Sequence, residues 1–422
     1  MPHTRPAVLL SVLGTGAFLL ATFPGCKSDS SSSTGVPTSI TVTGKVINSI
    51  KLPIANAPVV ITGRPATITD ANGNFAVTDV TVPYDVTVVG SQIGITYRGL
   101  SRSDPTLVNI RASAVLPNTA TVSGTISGGG GYPEPATRVS NVNISSAEVT
   151  ANATPNVTTG TYSMTSAWSG AATITTILRA LQWDKNAAGM PTTFLGFGEK
   201  TGVAITAGGA FAGQNIAMTA LSTQNISGTV SVPAALALEN KSLSMAFPNN
   251  GTMSLGTEFG TASAFTYVVP TIIGTTLSVT ALAAGVGFGQ SSVTKTGIAP
   301  GTTGITLTIP DPTALSLPVD AATGVTTTTP FSWTPVSSAI YVLALLGPGG
   351  TYYLVISGGN SGTIPDLTAL GLGLPKSASF SWQVQSHGPF SNIDAAAGAT
   401  GYISQGDVIH TVSSIRSFTT AP

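Results

Sequence analysis

Side chains able to do chemistry are scarce in this chain, and their placement bounds what it does. Histidine is the usual general acid or base near neutral pH. Beyond His3 at the start, the 422 residues hold only His387 and His410. His410 sits in Asp407-Val408-Ile409-His410-Thr411-Val412, which reads as a strand, and His387 in His387-Gly388-Pro389, which reads as a turn. Joined with Asp394 or Asp407 they would supply metal-binding atoms, but without the tight spacing of a metal motif, so no metal site is assigned. The 16 acidic residues are too scattered to nominate a pair for acid and base work. The one cysteine, Cys26, excludes an intramolecular disulfide.

Motif searches end the same way. No Gly-x-Ser-x-Gly elbow occurs. Ser292-Val293-Thr294-Lys295 and Lys295-Thr296-Gly297 match acyl-serine enzyme motifs by letter but share one lysine, where such enzymes draw on separate elements. Gly285-Val286-Gly287-Phe288-Gly289 has Gln290 where a phosphate loop needs its last glycine, and no amphipathic helix follows. Asp70, Asn72 and Asn74 open like a calcium loop, yet Gly73 comes too early and no closing Glu is present, so a tight hairpin turn at Asn72-Gly73 is the reading. Trp168, Trp183, Tyr352 and Tyr353 would stack on sugar rings if loops expose them, although large aromatics also build cores. No catalytic residue and no cofactor is assigned, and the chain is read as a non-enzyme.

Composition says what frame must hold these groups. Charged residues make up 8% against 42% hydrophobic, with 48 glycines and 28 prolines. Helix surfaces need Glu, Lys, Arg and Gln, whereas Val, Ile and Thr with Gly and Pro build strands and turns. Basic and acidic residues balance at 16 each, which excludes the field that recruits nucleic acid.

The start of the chain carries an address. Basic residues precede an apolar run from Ala7 to Phe23, too short to span a membrane comfortably, which ends in Phe23-Pro24-Gly25-Cys26. This resembles the lipobox of bacterial lipoprotein signal peptides. The resemblance implies cleavage before Cys26, acylation of that residue, and a membrane-lipid partner held through it. Residues 1–25 are then the signal peptide and 26–38 a flexible Ser-rich tether. Lys27 after the cysteine implies, by the same family, the outer membrane of a bacterial cell envelope.

Downstream, the expectation is an all-β chain of tandem β-sandwich modules. Residues 39–116 alternate as half-buried strands, Ile40, Val42 and Val46 inward and Tyr84, Val86 and Val88 likewise. Their order Gly44, Ala57-Pro58-Val59, Thr69-Asp70, Gly73, Phe75, Tyr84-Asp85-Val86 resembles the carboxypeptidase regulatory-like domain, which implies a transthyretin-like structural module. An internal repeat spans 117–222 and 223–312. Thr121-Val122-Ser123-Gly124-Thr125-Ile126 recurs as Asn225-Ile226-Ser227-Gly228-Thr229-Val230, and Lys200-Thr201-Gly202-Val203 as Lys295-Thr296-Gly297-Ile298. Both openings match Val42-Thr43-Gly44-Lys45-Val46, so three related units stand in a row. Ile174 to Trp183 reads as a strand, with a helical turn at Ile177 to Leu181 as the alternative. Residues 313–422, with Phe331-Ser332-Trp333, Ile340-Tyr341-Val342-Leu343, Phe380-Ser381-Trp382-Gln383-Val384 and Ser417-Phe418-Thr419, resemble a fibronectin type III-like, and hence Ig-like, sandwich.

The function expected from this is a lipid-anchored envelope protein with a structural, adhesive or protein-interaction role. The alternative is a carbohydrate-binding surface lipoprotein. The partners implied are membrane lipid, an envelope or extracellular protein, or a glycan.

Overall fold

The computed structural model describes residues 39–112, 116–287, 289–403 and 406–422. Cys26, the signal peptide and the tether lie outside the described residues. The described chain is all-β, with one four-residue helix, Ile393–Ala396, and two short 3-10 turns among strands.

Three consecutive sandwiches share one topology. In each, the opening strand pairs antiparallel with the fourth strand and parallel with the last. In the first module Ser39–Asn48 lies between Asn74–Thr81 and Thr106–Asn109. In the second Asn118–Gly128 lies between Thr161–Trp168 and the pair Ala210–Phe211 and Ile216–Met218. In the third Thr223–Ser231 lies between Ala264–Pro270 and Ile305–Thr308. The remaining four strands of each module form the facing sheet, for example Thr252–Phe259, Ala237–Ala246, Thr276–Gly285 and Gly289–Ile298. The repeated sequence segments fall on equivalent strands, which gives the repeat its structural meaning.

Two local devices recur with the topology. The glycine of each opening strand is cross-strand partner to a buried aromatic: Gly44 to Phe75, Gly124 to Tyr162, Gly228 to Phe265. A β-carbon at any of the three would also collide with backbone at the start of the module's last strand or just before it, at Pro105, Gln214 or Ile305. Glycine is what lets that strand close onto the sheet. The second device is a bulge in the sixth strand. Between Tyr97 and Leu100, between Lys200 and Val203, and between Lys295 and Ile298 the register slips by one residue. The slip is taken up at Gly99 (φ 73°), Gly202 (φ 69°) and Gly297 (φ 66°). It returns Leu100, Val203 and Ile298 to the core.

Thr173–Lys185 is strand throughout, so Ile177 to Leu181 is not a helical turn. The turn at Asn72-Gly73 also differs from a hairpin. Thr67–Ile68 pairs with Pro58–Ile61, and Asn74–Thr81 with Ser39–Asn48, so the turn carries the chain from one sheet to the other.

The modules are not laid out in single file. The C-terminal strands Ile340–Leu346, Tyr352–Ser357, Ser379–Gly388 and Val408–Val412 sit in the middle of one 14-stranded sheet. On one side Tyr352 to Ile356 pair in parallel with Ile93 to Tyr97 of the first module. On the other, Val408 to Val412 pair antiparallel with Gln290 to Thr294 of the third. The first core accordingly mixes Val46, Val86 and Tyr97 with Ile340, Val342, Ile356 and Ala396. The second module joins the third by apolar packing, with Leu181, Trp183, Met190 and Phe194 inside the third module's core.

Candidate functional site

The C-terminal sheet brings the two histidines together. In Ser379–Gly388 the residues Phe380, Trp382, Val384 and Ser386 face inward, which turns His387 to the opposite face. The strand Val408–Val412 runs alongside with His410 directly across from His387. Their ring centroids are 4.7 Å apart, and His387 lies 5.2 Å from the Tyr402 ring. Ile340, the partner of His387 on its other side, belongs to the first core, so the pair sits at that core's rim. Burial disfavours the imidazolium and pushes His387 down to about 3, with the neighbouring His410 adding to the effect. Burial lowers His410 as well. Burial thus favours the neutral form of both rings.

The carboxylates weighed as partners for these histidines are engaged elsewhere. Asp394 Oδ1 accepts from the backbone N–H groups of Ser101 at 2.8 Å and Arg102 at 3.2 Å, tying the short helix to the first module. Asp407 accepts from the Thr296 N–H at 2.8 Å and pairs with Lys295. Among the described residues no group of three or more His, Cys, Asp or Glu converges as for a metal ion.

The aromatic residues considered for sugar stacking are placed otherwise than that role needs. Trp168 is fully buried in the second module's core, its Nε1–H donating to the Ala171 carbonyl at 2.8 Å. Trp183 is buried against Phe194, centroids 6.2 Å apart. Tyr353 is fully buried, its hydroxyl donating to the Leu372 carbonyl at 3.0 Å. Trp168 and Tyr353 lie in the cores of their own modules, whereas Trp183 shares with Leu181 the strand face opposite Leu178 and Ala180 and is covered by the third module, so none of the three offers a ring face to a sugar. Tyr352 is half-buried, with the Arg111 guanidinium 4.3 Å from its ring centroid. The four do not form a platform.

The remaining motifs are structural. Asp70 Oδ1 accepts from the N–H groups of Asn72 and Asn74, both at 2.8 Å, which holds the turn and keeps the carboxylate below its usual range. Gly285 and Gly289 flank the tip between two antiparallel strands. Two buried cations escape sequence reasoning because no local pattern marks them. Arg179, 2% exposed, bonds Glu199 at 2.8 Å, Ser145 Oγ at 2.7 Å and the Pro248 carbonyl at 3.3 Å, and lies over Phe247. Lys241, 1% exposed, lies 3.2 Å from Glu258, which also accepts from the Tyr267 hydroxyl at 2.7 Å. Burial, and then Glu258, raise the Tyr267 phenol well above its ordinary range. Tyr267 and Glu258 line a 340 Å³ cavity between the second and third modules, and a 740 Å³ groove runs past Gly44, Ile68, Asp70 and Phe75 in the first. In the cavity the Tyr267 hydroxyl is tied to Glu258, and in the groove Asp70 is engaged by the N–H groups of its own turn.

No protein-family model matches the sequence, and no curated protein matches it. Among solved structures, the Bacillus anthracis TIE protein aligns at 7% identity and TM-score 0.16 over 64% of this chain and 50% of that one. The major pilin subunit of Bacillus cereus aligns at 9% identity and TM-score 0.15 over 64% and 99%. A streptococcal ancillary pilin aligns at 10% identity and TM-score 0.16 over 64% and 99%. The chain thus spans half the length of the first of these. Such low TM-scores carry no argument about function, and the all-β description stands on the strands themselves.

Proposed function

We propose that this chain is a lipid-anchored protein of the bacterial outer membrane whose fused β-sandwiches form a structural or adhesive body that docks protein partners. The observation that supports the reading best is the 14-stranded sheet, in which the C-terminal strands bind the first and third modules into one framework. Such a framework holds surfaces at fixed positions. In this body residues 39–116 are a regulatory-like sandwich, 117–222 and 223–312 are repeats, and 313–422 are a fibronectin type III-like sandwich. Cys26 is the acylated residue and membrane lipid its partner. Each buried CH₂ contributes about 0.8 kcal/mol to such an anchor, so two or more acyl chains hold it stably.

Metabolic labelling with radiolabelled palmitate, followed by membrane fractionation of wild type and Cys26→Ser, tests the anchor. Label and outer-membrane recovery are lost in the variant if the reading holds, and equal labelling overturns it. The glycan-binding alternative loses its platform with the burial of Trp168, Trp183 and Tyr353. Binding on a glycan array that fell in Tyr352→Ala would restore it and displace the adhesive reading.

A further inference from the structure

We infer that His387 and His410 form a two-imidazole binding site for a divalent transition-metal ion, copper(II) foremost, with water completing the coordination shell. The inference is independent of the lipid anchor and of the adhesive reading. Four observations carry it.

The first is register. Directly opposed residues of antiparallel strands project to the same face with β-carbons about 5 Å apart, and His387 and His410 are such a pair. The second is spacing. An ion about 2.0–2.1 Å from one nitrogen of each ring, at bond angles between square-planar and tetrahedral, places the two centroids about 4.5–5 Å apart. The rings stand 4.7 Å apart before any ion is added. The third is availability. Neither imidazole makes a hydrogen bond to another described residue, and none of their nitrogens is among the described polar atoms buried without a partner. The fourth is rigidity. Ser379–Gly388 is paired on both sides, with Ile340–Leu346 and Val408–Val412, and the latter strand is itself paired with Gly289–Ile298. Two ligands on adjacent strands of a continuous sheet lose little freedom when they bind one ion.

The donor set selects the ion. Imidazole nitrogens favour copper, nickel and zinc over magnesium and calcium, and copper(II) binds such sites most tightly among the first-row divalent ions. No carboxylate completes the site, since Asp394 and Asp407 are engaged with Arg102 and Thr296. The bound ion therefore keeps exchangeable water positions.

The test uses full-length protein purified without a polyhistidine tag and titrated with copper(II) chloride. Calorimetry is expected to give one ion per chain, and electron paramagnetic resonance to show coupling to imidazole nitrogen. His410→Asn and His387→Asn should each weaken binding by about tenfold or more. Copper should also raise the thermal midpoint of the wild type and not that of His410→Asn, whose fold is checked by circular dichroism. Undiminished binding in both Asn variants, or a wild-type spectrum without imidazole nitrogen, overturns the site. So does the absence of binding.

Discussion

Phe265 covers Gly228 so closely that a β-carbon on the glycine would stand 2.7 Å from the ring's Cζ. The glycine leaves room for the ring, and the ring fills what the missing side chain leaves open. The same pairing, Phe75 on Gly44 and Tyr162 on Gly124, makes it a property of the repeat. Gly228→Ala is expected to cost about 1–3 kcal/mol through overpacking against Phe265 and the Ile305 backbone. Phe265→Ala should cost about 3–5 kcal/mol through the cavity it opens. Urea midpoints of the purified variants measure both.

The bulge glycines isolate a different energy. A β-carbon at Gly99, Gly202 or Gly297 meets no atom within 4 Å, so substitution there is penalised by backbone conformation alone. Gly202→Ala should cost about 1–2 kcal/mol. Gly202→Asn should cost less, because asparagine visits the left-handed region more readily. Equal losses in the two variants would locate the cost outside the φ angle of 69°.

Arg179 ties the second module to the third through Phe247 and the Pro248 carbonyl. Arg179→Ala removes a guanidinium with partners on both sides and should destabilise the protein by about 3 kcal/mol. Lys241→Met keeps the apolar stem but takes the cation from Glu258, 27% exposed, and the donor from the Ala262 carbonyl, so a loss of about 1–3 kcal/mol is expected. Thermal unfolding of both variants distinguishes the two buried cations.

The shared sheet predicts a pattern of amide exchange. In the intact chain Ile93 to Tyr97 and Gln290 to Thr294 pair with C-terminal strands. A chain ending at Pro312 leaves both as open edges. Hydrogen exchange should accelerate in those two segments of the truncated protein, and its tendency to associate should rise. Unchanged protection would mean that the edges are covered by something other than the C-terminal strands.

Acid should act through capped aspartates. The Ser417 N–H and then the Ser417 hydroxyl hold Asp320 below its ordinary value of 3.8, and the Asn74 N–H and side chain do the same for Asp70. A carboxylate whose folded pKa is depressed contributes stability above its unfolded value and loses it as pH falls through the folded one. Urea midpoints should therefore drop below about pH 4, and Asp320→Asn and Asp70→Asn should each flatten that dependence. Both carboxyls should titrate below 3.8 by NMR.

Local chemistry made much of this legible in the sequence. Alternation at Phe380, Trp382 and Val384 gave the inward face of a strand, and the repeated Ser-Gly-Thr and Lys-Thr-Gly segments mark equivalent strands and bulges. Long-range pairing was not legible. Nothing near Tyr352 announces that it will lie beside Ile93, and nothing near His387 announces His410, because strand pairing depends on partners the local pattern does not name. The aromatics misled for a related reason. Trp168 points inward by the alternation of its own strand, but Trp183 lies on the face opposite Ala180 and is buried by the third module, a packing that no local pattern names.

The bonds from Asp394 to Ser101 span 293 residues of chain. Contacts so distant in sequence close late, because loop closure is entropically costly until the intervening chain has condensed. Within the first module Ile93–Leu100 pairs on one side with Tyr84–Gly90, and its other edge is covered by Tyr352 to Ile356, which come late in the chain. Completion of the first module is thus tied to arrival of the C-terminal strands, and a chain cut short of them is expected to carry an open strand edge.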